Sequence, residues 1–483
     1  MRVLVLTELY SADQFTGISL VNMLMDMIKA VNSVRSDIDW FFGVPSSRDK
    51  CRWSEEDFAH LDYVQPVPIL TEGAKGDATA FSGLAHPYMG PKCFDFFTRQ
   101  EFRQFDAVVI AYVSVAPVLM QAEYGAGHYY GIPKAGMPGL VYVAGETIND
   151  VTLPKLASFV GRITRVESMA LSAVTVGLTP IDVRTLQQEA RRFLSPAMAK
   201  KVKVEWSLPV VDLERIPVYE RPAGRCTFFQ GGTFEARKHP NFLVDTVGKI
   251  QAAGKDATVF FTTQWRKAQK EYKVPYVTVE TGCNRERYLK ALEAGDFINV
   301  YMDYEGTGLA WTEAIASGMV PLVMKKPWNQ GRFPDDYAFL CRSERELEQA
   351  MFYCASNPKE AKEKGQSAID FTRKIYDLRK AGTLWGDFLD SASKARNTDT
   401  WERSNKHFMT KLVKEAFGKL KSPFDLDDLL EEVSRCSKNL NMSKLRSYRW
   451  YVRAVALSLG ASEFRSEDGE LRMQPIALKE RGI

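Results

Sequence analysis

The sequence predicts an α/β protein: two doubly wound parallel-sheet units facing a cleft, with a small α+β module after them. Three observations carry this. Apolar runs alternate with amphipathic stretches through the first 210 or so residues, the pattern of strands buried on both faces beneath covering helices. The alternation restarts after Pro222. Past residue 393 it gives way to a polar stretch and then to charged, aromatic-rich segments.

In the first unit, residues 1–210, Arg2–Thr7 reads as a strand and Gly17–Val31 as a helix with Ile18, Val21, Leu24 and Ile28 on one stripe. Further strands are expected at Ile38–Val44, Ala107–Tyr112, Leu140–Ala144, Ala173–Leu178 and Val202–Trp206. A connection over Pro209–Pro222 leads to the second unit, residues 222–392. Its first strand, Cys226–Gln230, is followed by a glycine turn and the helix Pro240–Ala252. Strands follow at Thr258–Thr262, Tyr276–Glu280, Phe297–Tyr301 and Val320–Met324, with helices at Glu286–Ala294 and Trp311–Ser317 and a helical stretch over Asn357–Ser391. Open α/β sheets bind ligands in the crevice at the carboxyl ends of their strands. Ser393–Thr400 reads as a linker. The third unit, residues 406–477, holds an acidic amphipathic helix at Phe424–Ser434, a basic aromatic helix at Ser443–Leu459 and a hairpin over Glu463–Gln474 that turns at Asp468-Gly469.

At 483 residues the chain is long enough for two domains and an extension. Its net charge of +4 is unevenly placed: from Lys394 onward 18 Lys and Arg face 13 Asp and Glu, so the excess lies at the C-terminal end. The excess is modest, and a solvated tail is its plain reading. The seven cysteines are scattered, odd in number and without a C-x-x-C pair, which argues for reduced thiols in a cytoplasmic protein (host cytoplasm, for a viral one) and against a disulfide framework or zinc site. The start M-R-V-L-V-L-T lacks a signal-peptide layout. No apolar run approaches the roughly 20 residues that span a bilayer.

The most telling segment is V-Y-M-D-Y-E-G-T-G-L-A-W-T-E-A, residues 300–314. An apolar run ends at Glu305, turns through Gly306-Thr307-Gly308, and enters a helix that carries Glu313. Turn amides and a helix N-terminus suit an anion, and a carboxylate on either side can accept hydrogen bonds from hydroxyls. Phosphate beside polyol is what a nucleotide sugar presents. The bland alternative for Glu313 is a first-turn glutamate favoured by the helix dipole.

With its two Rossmann-like halves, the stretch Glu305–Ala314 resembles retaining glycosyltransferases of the GT-B fold, family 4 in particular, over roughly residues 1–390. Weaker matches stand around it in order: the N-terminal strand leading to Gly17, the strand Ala173–Gly177, the segment Trp206–Asp212, and the turn Gly231-Gly232 with Arg237-Lys238 downstream. The resemblance implies that Glu305 and the amides of Gly306, Thr307, Gly308 and Leu309 hold the donor sugar and its phosphate. It implies that Glu313 accepts the hydroxyls of the nucleotide ribose, that Arg237 and Lys238 neutralise the diphosphate, and that Gly17, Gly231 and Gly232 permit close backbone approach. It implies a UDP-sugar donor, no other cofactor and no metal. Positioned cations and amides can stabilise a departing nucleoside diphosphate without one, and no D-x-D stands at the sheet mouths.

The chain departs from the family in two places. Gly232 or Thr233 stands where the family often has Arg, which leaves open whether Arg237 or Lys238 takes the usual lysine role. No histidine lies near the end of Leu140–Gly145, and Glu146 is the nearest polar candidate for the acceptor side. His128, Tyr129 and Tyr130 either line an acceptor site or form a surface loop. Lys325–Gln330 is a further candidate for contact with the base or acceptor.

In the extension, Lys444, Arg446, Arg449 and Arg453 lie on the basic helix, the arginines at three- and four-residue spacing on one face. Helix, basic helix and a hairpin bearing Arg465 and Arg472 resemble a winged-helix module, which implies duplex DNA as a partner. The alternative is a protein-interaction domain. Together these features point to a glycosyltransferase acting on a hydroxyl acceptor, with a hydroxymethylated pyrimidine in phage DNA as the first expectation. The rivals are a glycan, lipid or protein acceptor, or a non-catalytic nucleotide-sugar- or DNA-binding protein on the same scaffold.

Overall fold

The computed structural model describes residues 1–7, 19–45, 53–69, 104–111, 138–144, 165–166, 168–232, 234–263, 272–395, 426–436, 461–465 and 471–475. Two parallel sheets organise them. The first contains β1 (Arg2–Thr7), β2 (Asp39–Pro45), β3 (Val64–Ile69), β4 (Ala107–Ala111), β5 (Gly139–Ala144), β6 (Val174–Gly177) and β7 (Val204–Trp206), in the order β3-β2-β1-β4-β5-β6-β7. The second contains β8 (Thr227–Gly231), β9 (Thr258–Thr262), β10 (Val277–Glu280), β11 (Phe297–Val300), β12 (Val320–Met324) and β13 (Leu340–Cys341), in the order β10-β9-β8-β11-β12-β13. Both orders reverse direction once, beside the first strand of the sheet, and such a reversal opens a ligand crevice at the strands' carboxyl ends.

Central strands are buried along their whole length: Val3 through Leu6, Ala107 through Ala111 and Phe297 through Val300 all lie in the interior, as strands covered on both faces require. Strand β3 was not expected from its sequence, V-Q-P-V-P-I. Pro66 and Pro68 pair with Phe42 and Val44, and β3 lies at the sheet edge, where a missing N–H leaves no inner ladder bond unmade. The two-residue β13 was likewise unexpected.

The helices that frame the site are α1 (Ser19–Asn32), α2 (Pro180–Phe193), α3 (Pro240–Ala252), α4 (Arg285–Ala291) and α5 (Leu309–Ala316). After them come α6 (Glu344–Ser356), α7 (Pro358–Ile375) and α8 (Leu378–Ala395). Helix α8 returns to the first domain. Its Trp385, Phe388, Leu389 and Ala392 join the core beneath β1 and α1, and Trp385 Nε1 donates to Ser207 Oγ at 3.1 Å. The connection between domains is pinned at both ends. Asp212 N–H donates to Asp26 Oδ2 on α1 at 2.9 Å, and Arg221 donates to the carbonyls of Leu292, Gly295 and Ser317 in the second domain.

In the extension, α9 (Leu426–Cys436) and an antiparallel pair, β14 (Ala461–Arg465) with β15 (Leu471–Pro475), are described. Arg465 pairs with Leu471, and Phe464 with Arg472. The basic helix expected over Ser443–Leu459, with Lys444, Arg446, Arg449 and Arg453, lies outside the described residues. No described helix is long and apolar enough to cross a membrane.

Candidate functional site

The site forms where β8 and β11, adjacent in the second sheet, end. Gly231 closes β8, and Gly232 turns the chain with φ +106°, a conformation that excludes ordinary side chains. A Cβ on Gly232 would also lie 2.9 Å from Lys238 Nζ, so its absence lets the ammonium approach the turn. The Gly232 amide itself donates to the Thr262 carbonyl at 3.0 Å and is not available to a phosphate. Downstream, Ala236–Lys238 makes one tight helical turn. His239 follows in the left-handed region at φ 47°, its ring stacked on Tyr301 at 3.9 Å, and Pro240 opens α3. This strained corner fixes where Arg237 and Lys238 project.

Both cations turn to Glu305. Arg237 Nη1 lies 3.3 Å from Glu305 Oε2 and donates to the Tyr304 carbonyl at 2.8 Å, while its Nε bonds Glu235. Lys238 Nζ lies 4.0 Å from the same Oε2. The Asp303 amide closes the arrangement by donating to the Arg237 carbonyl at 2.9 Å. Arg237 stands 67 and 68 positions before Tyr304 and Glu305, a separation at which no local pattern signals that they meet; the adjacency of β8 and β11 brings them together.

Gly308 starts α5 at φ 61°. A Cβ there would sit 2.4 Å from the Trp311 indole, so only glycine fits. Its amide donates to Glu305 Oε1 at 3.4 Å, which draws the carboxylate across the loop and commits one of the amides expected to face a phosphate. Thr307 and Leu309 are buried beside it.

Glu313 departs from expectation. Its side chain is only 3% exposed and pairs with Arg285 Nη2 at 2.7 Å, so it is an interior carboxylate with a dedicated cation, not one standing open at the sheet mouth. Burial alone would weaken the Arg285 charge, but Glu313 outweighs it and holds the guanidinium above its ordinary value. The Tyr288 hydroxyl, raised well above its usual pKa by burial and then by Glu313, donates to the Ala310 carbonyl at 2.8 Å. Asp26 on α1 also acts on Arg285. Burial pushes its carboxyl up to about 7, against the opposing pull of the Asp212 amide and Arg215.

Sequence reading missed Arg285, Tyr288, Tyr304 and Arg332. Arg285 follows Asn284, whose side chain caps α4 by accepting from the Arg287 amide at 2.9 Å; that start signal was legible, its meeting with Glu313 was not. Tyr304 and Arg332 reach the first domain. Tyr304 donates to Asp182 Oδ1 at 2.8 Å, and Arg332 Nη2 donates to the carbonyls of Leu178 and Gly306, both at 2.9 Å. Within Lys325–Gln330, Trp328 and Asn329 are buried and bond the carbonyls of Met302 and Met324, so they brace the loop from inside, and Lys326 lies 3.5 Å from Asp303. Gly17, Glu146, His128, Tyr129 and Tyr130 lie outside the described residues. No cluster of three or more metal-binding side chains occurs among the described residues.

Compared by sequence, the chain matches no protein-family model and no curated protein. Compared by structure, it is similar to HepE from Anabaena in complex with UDP and glucose, with TM-score 0.57 and 11% identity over 81% of this chain and 100% of that one. It is also similar to sucrose-phosphate synthase from Thermosynechococcus elongatus, with TM-score 0.60 and 12% identity over 82% of this chain and 100% of that one. At such identities the likeness concerns architecture. The architecture is the GT-B fold, two Rossmann-like domains that meet at the glycine loop.

Proposed function

We propose that the protein is a glycosyltransferase that moves a sugar from a UDP-sugar to a hydroxyl acceptor. The observation that carries this is the convergence of Arg237, Lys238 and Glu305 on the glycine turn at the mouth of the second sheet. Arg237, shared between Glu235 and Glu305, and Lys238, facing Glu305, stand beside the first turn of α5, where helix amides add a field that favours an anion. As the bond to the nucleotide breaks, negative charge grows on the diphosphate, and fixed cations stabilise it without reorganising. Glu305 holds both cations in register and offers its oxygens to the sugar hydroxyls. Arg285, 2.7 Å from Glu313, fixes the orientation of the carboxylate that the family resemblance assigns to the ribose. The fold-level likeness to HepE, solved with UDP and glucose, supports a nucleotide-sugar donor.

Retention of anomeric configuration is proposed on the family resemblance, and independence of metal on the resemblance together with Arg237 and Lys238. Gly17 and Glu146 are assigned to the first-domain side on the resemblance and on sequence position. For the acceptor we propose a hydroxymethylated pyrimidine in duplex DNA, brought by the C-terminal module and flipped toward the cleft. The positive charge excess after residue 393 and the arginine spacing at Arg446, Arg449 and Arg453 support it.

The test is a panel of nucleotide sugars offered with unmodified and hydroxymethylated DNA and with glycan acceptors, with and without EDTA, scored by mass spectrometry. Sugar on hydroxymethylated nucleosides, unaffected by EDTA, is the expected result. Transfer to glycans alone would replace the DNA acceptor, and no transfer or donor hydrolysis at all would remove the enzymatic reading.

A further inference from the structure

The loop that carries Glu305 is tied at two points to one short stretch of the first domain. Tyr304, just before Glu305, donates to Asp182 Oδ1 at 2.8 Å. Asp182 Oδ2 accepts from Thr179 Oγ1 at 2.6 Å, and Thr179 caps α2. Gly306, just after Glu305, accepts from Arg332 Nη2 at 2.9 Å, and the same nitrogen donates to the Leu178 carbonyl at 2.9 Å. Residues 178–182 thus act as a template for residues 304–306.

Arg332 is an unusual choice for this bridge. Its side chain is fully buried, forms no ion pair with a described carboxylate, and has its Nε and Nη1 without a hydrogen-bond partner among the described residues. Its guanidinium lies 5.4 Å from the Trp311 ring centre and 6.0 Å from that of Trp328, contacts that compensate a desolvated cation only in part. A neutral donor could join two carbonyls at lower cost. What a cation adds is direction and field. In a trans peptide the carbonyl and the next amide point opposite ways, so holding the Gly306 carbonyl on Arg332 aims the Thr307 N–H away from it. The positive charge also polarises that peptide toward a better donor.

We propose that Arg332 is a positioning residue that sets the glycine loop for an anionic ligand, and does so only while the first domain is docked, because one nitrogen serves both domains. Tyr304 and Asp182 complete the coupling. The anion named here rests on the nucleotide-sugar reading; the coupling does not.

Hydrogen–deuterium exchange on the intact chain tests it, with UDP titration as a second readout. In Arg332→Met the amides of Leu178, Thr179, Ile181 and Asp182 and those of residues 305–309 should exchange together, about 10- to 150-fold faster, as loss of a charge-assisted hydrogen bond implies, while β8, β9 and α3 keep wild-type protection. Arg332→Lys should restore part of the protection and of the UDP affinity. A merely structural arginine would instead loosen the surrounding core and leave no charge-dependent rescue. If Arg332→Met does not fold, Tyr304→Phe, which removes one hydroxyl, decides by the same two segments. Wild-type exchange in the folded variants, or acceleration of one segment without the other, overturns the proposal. Failure of the wild-type protein to bind UDP would sink the donor reading and leave the exchange result to judge the coupling.

Discussion

Replacing Glu305 by Gln separates charge from shape at the centre of the site. The glutamine keeps the volume and can still accept the Gly308 amide. It loses the negative charge shared by Arg237 at 3.3 Å and Lys238 at 4.0 Å. Both distances, and the 3.4 Å bond from Gly308, are at the long end, so the loss belongs in the lower part of the range for charge-assisted bonds, about 1.5–3 kcal/mol. Turnover should therefore fall about 10- to 30-fold. Binding of the nucleotide should move the other way. Removing the Glu305 charge leaves Arg237 and Lys238 less neutralised beside the phosphate site, so UDP should bind at least as tightly as to the wild type. Arg237 keeps the Tyr304 carbonyl and Glu235, and the fold should persist. Steady-state kinetics with the donor, calorimetric titration with UDP and a thermal melt measure the three effects. Wild-type turnover in a folded variant would remove Glu305 from the donor site, and weakened UDP binding would refute the charge accounting.

Three further outcomes are expected. Glu313→Ala should reduce turnover and also destabilise the protein by about 3 kcal/mol, because it leaves Arg285, whose side chain is only 20% exposed, without its carboxylate; a melting temperature equal to that of Glu305→Gln would contradict the interior placement. Asp26, 5% exposed, has its carboxyl raised from 3.8 to about 7 in the folded state. The folded chain therefore holds a proton that the unfolded chain releases, so this contribution is complete below about pH 4 and is lost as pH rises to about 7, roughly 4 kcal/mol in all. Urea midpoints should lose that slope in Asp26→Asn, and an unchanged slope would exclude Asp26 as its source. Finally, Arg446, Arg449 and Arg453 changed together to Ala should weaken duplex DNA binding and flatten log affinity against log salt by about 0.9 for each DNA phosphate that is no longer neutralised; equal gel-shift affinities for variant and wild type would leave the extension a protein-interaction module.

The order of strands and helices was legible because local pattern produces it. Strands buried on both faces read as unbroken apolar runs, and α3 runs over Pro240–Ala252 as its opening proline and apolar spacing indicated. The glycine loop was legible for the same reason, since Gly308 answers a local need for positive φ. Elements that break a local rule were not: β3 contains two prolines and survives because it lies at an edge.

The sequence by itself determined which segments become strands and turns, and that Glu305, the glycine turn and Glu313 share one strand–loop–helix unit. Only the tertiary structure decided their partners. Glu305 and Glu313 look alike eight positions apart, yet one bridges Arg237 and Lys238 near the mouth while the other is sealed against Arg285. Return of α8 to the first core, and Arg332's bond to Leu178, 154 residues away, are of the same kind. Periodicity reports which face of an element is buried, whereas an ion pair or a bridge across domains depends on which strand ends the sheet order makes neighbours, and that order is set by packing distant in sequence.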